Sequence, residues 1–149
     1  MNFSADDIFL EVNVASVTAF LTYAAEAAVN AGFTMDPKEL NNSFLEREQE
    51  FSTGLEDGFA IPHAKSVVIK KTGFLYFRLK NPLDWQTYDH KPVTDVFALM
   101  VPPENAGNTH LKMLANLSTA LLEEDFKVKL RTLTSKTKIA DFINQKIGE

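Results

Sequence analysis

Two segments of strand length are almost wholly apolar, and they constrain the fold of this chain more than any other feature. Residues 73–79 include an aromatic-rich run from Phe74 to Phe77, and residues 95–101 lead into a proline pair. Continuous apolar strands, unlike alternating ones, are typical of a sheet covered on both faces. The segment between them, 81–92, lacks a clear crossover helix, so we expect a mixed sheet.

Two helices are predicted before these strands. Between residues 16 and 31, apolar residues recur at steps of three and four, and Gly32 follows where a left-handed residue commonly ends a helix. The second helix begins at Asp36, which can cap it, and at Pro37, which suits the first helical position. Its apolar pattern predicts an end near residues 47–48.

Two shorter strands are predicted from local patterns. Residues 9–12 form a short apolar segment ahead of the first helix. Residues 59–61 follow the polar, glycine-punctuated loop 52–58 and are stopped by Pro62. Because a residue before proline is pushed toward extended geometry, we expect this segment to be a strand.

The C-terminal third is predicted to be helical, and Thr109 can cap its first helix. The apolar positions behind this prediction are Leu111, Leu114, Leu117, Leu121 and Leu122, then Phe126, Leu130 and Leu133 after Asp125, then Ile139, Phe142, Ile143 and Ile147 before Gly148. Helices before and after a central group of strands indicate the α/β class. We expect a layered α/β/α sandwich, with a small mixed β-sheet flanked by helices.

Composition bounds the domain count and excludes several function classes. A chain of 149 residues has the length of one domain, so we expect a single domain over 1–149. The absence of cysteine excludes disulfides, thiolate metal sites and cysteine nucleophiles. A formal charge of −5 argues against a nucleic-acid binder, which needs a basic face.

The N-terminus and the hydropathy of the chain indicate where the protein resides. Residues 1–7 are acidic, and no apolar signal-peptide core follows them. No segment approaches the length of apolar sequence needed to span a membrane. We therefore expect a cytoplasmic protein without direct membrane insertion.

The histidines differ in their surroundings. His63 follows Pro62 at the end of a short apolar strand, where ligands gather in α/β sheets, although a surface histidine in a turn fits the same position. His110 is the first helical residue if Thr109 caps, and a helix N-terminus both binds anions and disfavours the imidazolium form. His90 lies in a segment predicted to be an exposed turn, and we assign it no function.

Other sites receive weaker support. The gaps of 27 and 20 residues between the histidines do not match the short spacings typical of metal-binding histidines, so we expect no metal. No phosphate-binding glycine motif occurs, and we expect no cofactor. Residues 52–54, which include Thr53 and Gly54, could direct backbone amides toward an anion.

Taken together, these segments resemble the enzyme IIA domains of the bacterial sugar phosphotransferase system (PTS), of the fructose/mannitol type (EIIA type 2). The resemblance covers about residues 10–149. Its motifs are Arg47-Glu48, Ser52-Thr53-Gly54, Gly58-Phe59-Ala60-Ile61-Pro62-His63-Ala64-Lys65, the spaced Trp85, Asp89, Pro92 and Val93, and the block from Pro102-Pro103 through His110 to Ser118.

The resemblance implies a phosphotransferase that works through a phosphohistidine. His63 is implied to accept the phosphoryl group from the carrier protein HPr, by way of Nε2. It is then implied to pass the group to a cysteine of a cognate enzyme IIB, which serves the membrane enzyme IIC. Arg47 and His110 are implied to line the active site, with Thr53 and Gly54 in a supporting loop.

Two alternatives stay open at this point. The first is that the chain is a nitrogen-regulatory PTS protein. The same resemblance implies that such proteins share the fold and the histidine but act by binding other proteins. The residues alone also fit an α/β domain that binds a small molecule, with His63 as a polar lining residue. The residues around His63 are most similar to those of the fructose-type domains. The sequence does not distinguish fructose from mannitol or galactitol as the transported sugar.

Overall fold

The structure, a computed structural model, describes residues 3–105 and 108–147, except for the side chains of residues 105 and 108–110. Within these residues the chain forms five strands, five α-helices and two short 3-10 helices, Ala5–Asp7 and Pro103–Asn105. In chain order the strands and α-helices are β1 (Ile8–Val12), α1 (Val17–Asn30), α2 (Pro37–Glu50), β2 (Phe59–Ala60), β3 (His63–Lys65), β4 (Gly73–Leu83), β5 (Val93–Val101), α3 (Asn108–Ala120), α4 (Glu124–Thr132) and α5 (Lys136–Ile147).

The strands form one mixed sheet, as the sequence predicts. Its order is β1-β4-β5, and both β2 and β3 pair with β5 on the side away from β4. The pair β4–β5 is antiparallel, whereas β1–β4, β2–β5 and β3–β5 are parallel. The short strand β3 therefore lies at one edge of the sheet.

Helices cover both faces of this sheet, which confirms the layered α/β/α arrangement. Successive residues of β5 alternate between two buried clusters. Val96, Ala98 and Met100 pack in the cluster that contains α1 and α2, whereas Phe97 and Leu99 pack in the cluster that contains residues of α3, α4 and α5. Since both faces are buried there, uninterrupted apolar sequence in residues 73–77 of β4 and 96–101 of β5 is what the packing requires.

Capping residues mark the start of the first two helices, and the cap at Asp36 confirms the prediction for the second helix. The Ser16 hydroxyl accepts a hydrogen bond from the Ala19 amide at 3.0 Å, and the Asp36 carboxylate accepts one from the Glu39 amide at 3.1 Å. Gly32 follows α1 with φ of +83°, a conformation that costs a non-glycine residue steric energy. Helix α2 runs to Glu50, beyond the predicted end near 47–48, and so carries an extra half turn toward the site.

The strand predicted to stop at Pro62 instead continues after it. Pro62 has no N–H and breaks the ladder after Ala60, but its carbonyl accepts a hydrogen bond from the Leu99 amide at 2.8 Å. Pairing with β5 then resumes at His63, which is opposite Leu99. His63 thus lies within a strand and not beyond the end of one.

Strand β4 is also longer than predicted. It continues past Leu79 to Leu83, which pairs with Val93 of β5. The register shifts between Arg78 and Leu83, so a local irregularity in the strand accommodates the polar residues there. Because of those residues, the sequence predicted a connecting segment in place of the end of the strand.

The C-terminal helices agree with the prediction in existence but not in every detail. Helix α3 begins at Asn108, so Thr109 lies inside the first turn and His110 is the third helical residue, not the first. The buried stripe of α3 uses Met113 and Leu117, whereas Leu111 and Leu122 are 56% and 85% exposed. The prediction failed there because it followed leucine alone, and methionine and alanine complete the actual stripe. Gly148 lies outside the described residues.

No helix in the described part of the chain is both long and apolar enough to cross a membrane.

Candidate functional site

His63 opens onto a cleft between β3 and α2. The residue is half-buried, and its Nδ1 atom is buried. We call this space the His63 cleft; it has a volume of about 360 Å³ and is lined by Ser43, Glu46, Arg47, Glu50, His63, Ala64, Lys65, Leu99 and Val101. A group that enters from solvent does not reach the buried Nδ1 atom.

Arg47 reaches the same cleft from the last turns of α2. It is half-buried, and its Nη1 donates a hydrogen bond to the Phe51 carbonyl at 3.0 Å. A guanidinium carries several N–H donors in a planar fork, so one contact with the protein leaves others for a bound anion. The fold therefore brings to one cleft His63 and Arg47, which are separated in sequence by the end of α2, a loop and β2.

The cleft also contains residues that the sequence reasoning did not single out. Ser43, Glu46 and Glu50 follow Arg47's face of α2 at helical spacing, and that spacing was the available signal. Lys65 is exposed and lines the cleft as well.

The charged residues of the cleft are balanced in number. Arg47 and Lys65 are cations, whereas Glu46 and Glu50 are carboxylates. An anionic group can be held by the guanidinium beside the imidazole, while the carboxylates oppose tight retention of that anion. Such a site suits a group that must arrive and leave.

Thr53 and Gly54 do not line the His63 cleft. The Thr53 side chain is buried, and its amide donates to the Glu48 carboxylate at 2.8 Å. The Gly54 amide donates to the Ser52 hydroxyl at 3.2 Å. These amides already have acceptors inside the protein, so a direct contact of theirs with an anion stays a prediction.

His110 lies in the first helical turn of α3, and its side chain is outside the described residues. That His110 lines the same site as His63 therefore stays a prediction. His90 is exposed in a turn with φ of +62°, which agrees with the prediction for that segment.

The spaced motif that follows β4 has structural partners in α2 and in the loop before β2. Trp85 donates from Nε1 to the Glu48 carboxylate at 3.0 Å. Asp89 accepts hydrogen bonds from the amides of Asp57 at 2.9 Å and Lys91 at 3.2 Å. The bond from the Asp57 amide is the main reason that the pKa of Asp89 lies below its usual value. These contacts hold together the loops on which the site rests.

Among the side chains that the structure describes, which do not include that of His110, no group of three or more His, Asp or Glu residues is placed to hold a metal ion.

A family model matches almost the whole chain. Residues 1–146 match the family described as "Phosphoenolpyruvate-dependent sugar phosphotransferase system, EIIA 2". This is the family that the sequence motifs resemble.

Curated relatives give the same result. The PTS system fructose-specific EIIA component of Haloferax volcanii is 33% identical over 136 residues, which cover 91% of this chain and 88% of that protein. The PTS system fructose-specific EIIABC component of Bacillus subtilis is 36% identical over 115 residues, or 77% of this chain. The match spans only 18% of the length of that larger protein.

Solved structures share the fold. The crystal structure of nitrogen regulatory protein IIA-Ntr from Neisseria meningitidis has a TM-score of 0.85 at 27% identity, and the match covers 93% of this chain and 94% of that one. The complex of enzyme IIAMTL with phosphorylated enzyme IIBMTL from Escherichia coli matches with a TM-score of 0.73 at 21% identity, covering 98% of this chain and 96% of the other. The family-model match over residues 1–146 and the 33% identity to a fructose-specific EIIA component lead to one conclusion: the chain belongs to the EIIA type-2 family of the phosphoenolpyruvate-dependent sugar phosphotransferase system.

Proposed function

We propose that this protein is a phosphocarrier for sugar uptake, with His63 as the residue that is phosphorylated. The observation that carries the proposal is the joint presence of His63 and Arg47 in one open cleft. An imidazole is nucleophilic near neutral pH and becomes a good leaving group once phosphorylated. Both properties are needed in a residue that accepts a group and gives it away.

The reaction runs in two displacements. In the first, the Nε2 lone pair of neutral His63 attacks the phosphorus of phosphohistidine on HPr. A new P–N bond forms as the P–N bond to the donor breaks, and the donor imidazole leaves with its electron pair. In the second, a cysteine thiolate of enzyme IIB attacks the same phosphorus, the bond to Nε2 breaks, and His63 returns to its starting form.

Arg47 stabilises charge during both steps. Phosphoryl transfer depends on alignment of donor and acceptor and on compensation of charge on the equatorial oxygens. A guanidinium at the wall of the cleft can contact two of these oxygens at once, which a lysine cannot do in the same geometry. His110, at the start of α3, is proposed to donate a further hydrogen bond from a neutral imidazole. Neither residue forms a covalent bond to the group.

The family and a structural neighbour support the proposed partners. The neighbour with bound phosphorylated enzyme IIBMTL supports a IIB protein as the acceptor. HPr is proposed as the donor, and the membrane enzyme IIC is reached through IIB. The Haloferax volcanii and Bacillus subtilis relatives support a fructose-type system.

The test is a reconstituted relay. The protein is incubated with phosphoenolpyruvate, enzyme I and HPr, repurified, and mixed with candidate IIB proteins. We expect one phosphoryl group on the chain and its transfer to a fructose-type IIB. Failure of phospho-HPr to label the chain would contradict the proposal.

A second candidate is supported by the match with the nitrogen regulatory protein. In that case His63 is still phosphorylated, but the output is phosphorylation-dependent binding of another protein. The relay separates the two functions, because a regulatory protein is labelled by HPr and then passes nothing to any IIB.

A further inference from the structure

The carboxylate of Glu48 accepts three hydrogen bonds from two different segments. The Thr53 amide donates at 2.8 Å, the Thr53 hydroxyl at 2.6 Å, and the Trp85 indole Nε1 at 3.0 Å. Thr53 and Trp85 are both buried, whereas Glu48 is half-buried. We call these three residues the Glu48 cluster. It joins the last turn of α2 to the loop before β2 and to the segment after β4.

Glu48 follows Arg47 in sequence, and both side chains form hydrogen bonds with residues 51–53. Arg47 donates to the carbonyl of Phe51, where the backbone leaves α2 in an extended conformation. Glu48 fixes Thr53, two residues further on. The position of the Phe51 carbonyl, and with it the direction of the Arg47 guanidinium, therefore depends on the bonds to Glu48.

The same cluster also reaches the strand that carries the nucleophile. The Thr53 carbonyl accepts a hydrogen bond from the Ile61 amide at 3.1 Å, two residues before His63. Trp85 packs against Phe20 of the core, with 5.8 Å between their ring centroids. Thr53 is thus hydrogen-bonded both to α2, which carries Arg47, and to the segment that leads into β3. Trp85 connects the cluster to the hydrophobic core.

We propose that Glu48 is a positioning residue for phosphoryl transfer, one that sets the Arg47 guanidinium relative to His63. The proposal rests on the proposed function. Glu48 does not line the His63 cleft among the residues described, so it acts through Arg47 and not through contact with the phosphoryl group. Transfer is sensitive to this placement, because a shift of about 1 Å in a reacting or stabilising group can cost on the order of 100-fold in rate.

Two variants of Glu48 separate the role of its hydrogen bonds from the role of its negative charge. In Glu48→Gln, the amide oxygen can accept from the Thr53 amide and the Trp85 indole, while its NH₂ donates to the Thr53 hydroxyl. We expect this variant to be labelled by phospho-HPr within about threefold of the wild-type rate. Glu48→Ala loses all three bonds, and we expect a fall on the order of 10- to 100-fold. A Glu48→Gln variant as slow as Glu48→Ala would overturn the positioning role.

A double-mutant cycle with Arg47→Ala is the decisive measurement, made by rapid quench at a temperature where thermal melts show every variant to be folded. If Glu48 acts through Arg47, Glu48→Ala slows labelling in the wild-type background but by less than about twofold in the Arg47→Ala background. The loss of thermal stability caused by Glu48→Ala is expected in both backgrounds. Equal rate losses in the two backgrounds would overturn the proposal and leave the phosphocarrier function intact. A wild-type chain that is not labelled at all would overturn both.

Discussion

The hydroxyl of Ser43 bonds to both backbone groups of Lys65. It accepts from the Lys65 amide at 3.2 Å and donates to the Lys65 carbonyl at 3.1 Å. Lys65 ends the edge strand β3, whose outer side would otherwise present unpaired backbone groups. A side chain of α2 thus closes the edge of the strand that carries His63, and it fixes the spacing of the two walls of the His63 cleft.

Removal of this contact should destabilise the protein and slow the transfer reaction. We expect Ser43→Ala to lower the free energy of unfolding by about 1 kcal/mol, measured by urea denaturation, because two backbone groups lose their partner. Ser118→Ala, at an exposed serine of α3, is the matched control for the higher helix propensity of alanine. If Ser43→Ala is as stable as that control, the contact has no energetic role.

Arg47→Lys tests whether the cleft needs a guanidinium or only a positive charge. Lysine keeps the charge but cannot make the planar, two-pronged contact, so we expect labelling by phospho-HPr to fall about 100-fold. The midpoint of urea unfolding should change little, because Arg47 is only half-buried. A labelling rate equal to that of the wild type would show that charge alone suffices.

Gly54 lies directly against the backbone of the segment after Trp85. A Cβ atom there would be 2.2 Å from the Gln86 carbonyl oxygen and 2.8 Å from Thr87 Cγ2, so the loop must move in Gly54→Ala. We expect a loss of about 1–3 kcal/mol in the free energy of unfolding, together with slower labelling, because the Glu48 cluster moves with the loop.

The control for Gly54→Ala is Gly32→Ala, where the cause of destabilisation differs. A Cβ at Gly32 would have Lys71 Nζ as its nearest neighbour at 3.7 Å, but φ is +83°. This variant should lose about 1–2 kcal/mol from backbone strain and keep the wild-type labelling rate. Slowing of both variants to the same degree would mean that lost stability, and not movement of the loop, controls transfer.

The ion pair between Asp57 and Lys127 predicts a pH-dependent term in stability. Their charged atoms are 2.8 Å apart, and the hydrogen bond from Lys127 is the main reason that the pKa of Asp57 lies below its ordinary value of 3.8. A carboxylate whose pKa falls on folding adds stability that is complete above its unfolded pKa and disappears as the pH falls through its folded pKa. The Asp57 side chain is 38% exposed, so solvent screens the pair and the term is at most about 0.5 kcal/mol.

Asp57→Asn is the variant that isolates this term. Asparagine has nearly the same shape and tolerates the left-handed backbone at this position, where φ is +58°. Urea unfolding of both proteins from about pH 6 to about pH 2.5 should show the wild type more stable at the upper end and the difference vanishing at the lower end. A difference that grows as the pH falls would contradict the assigned ion pair.

The fold was predictable where local chemistry and periodicity agree. The periodicity of residues 16–31, the capping residue Asp36 and the apolar runs in β4 and β5 specify their elements with short-range information, and the structure follows them. The errors occur where tertiary pairing decides. Continuation of the strand past Pro62 depends on β5 lying alongside, and extension of β4 to Leu83 depends on Val93 as a partner. Neither partner can be read from the local sequence.

The site was predictable in its residue types but not in its supporting contacts. His63 and Arg47 were named from motif and resemblance, and both line the cleft. The bonds of Ser43 to Lys65 and of Glu48 to Trp85 join residues that are 22 and 37 positions apart, and no periodicity links them. Such contacts depend on how α2 crosses the sheet edge, which only the folded chain determines.

The most direct test of the central claim is the intact mass of the protein after incubation with phosphoenolpyruvate, enzyme I and HPr. Wild type and His90→Asn, a change at the exposed histidine of a turn, should each gain the mass of one phosphoryl group, and the added group should be lost in acid as expected of a phosphohistidine. His63→Ala should gain nothing while its thermal melt remains cooperative. A His63→Ala protein that still acquires a phosphoryl group on histidine would contradict the assignment of His63 as the carrier.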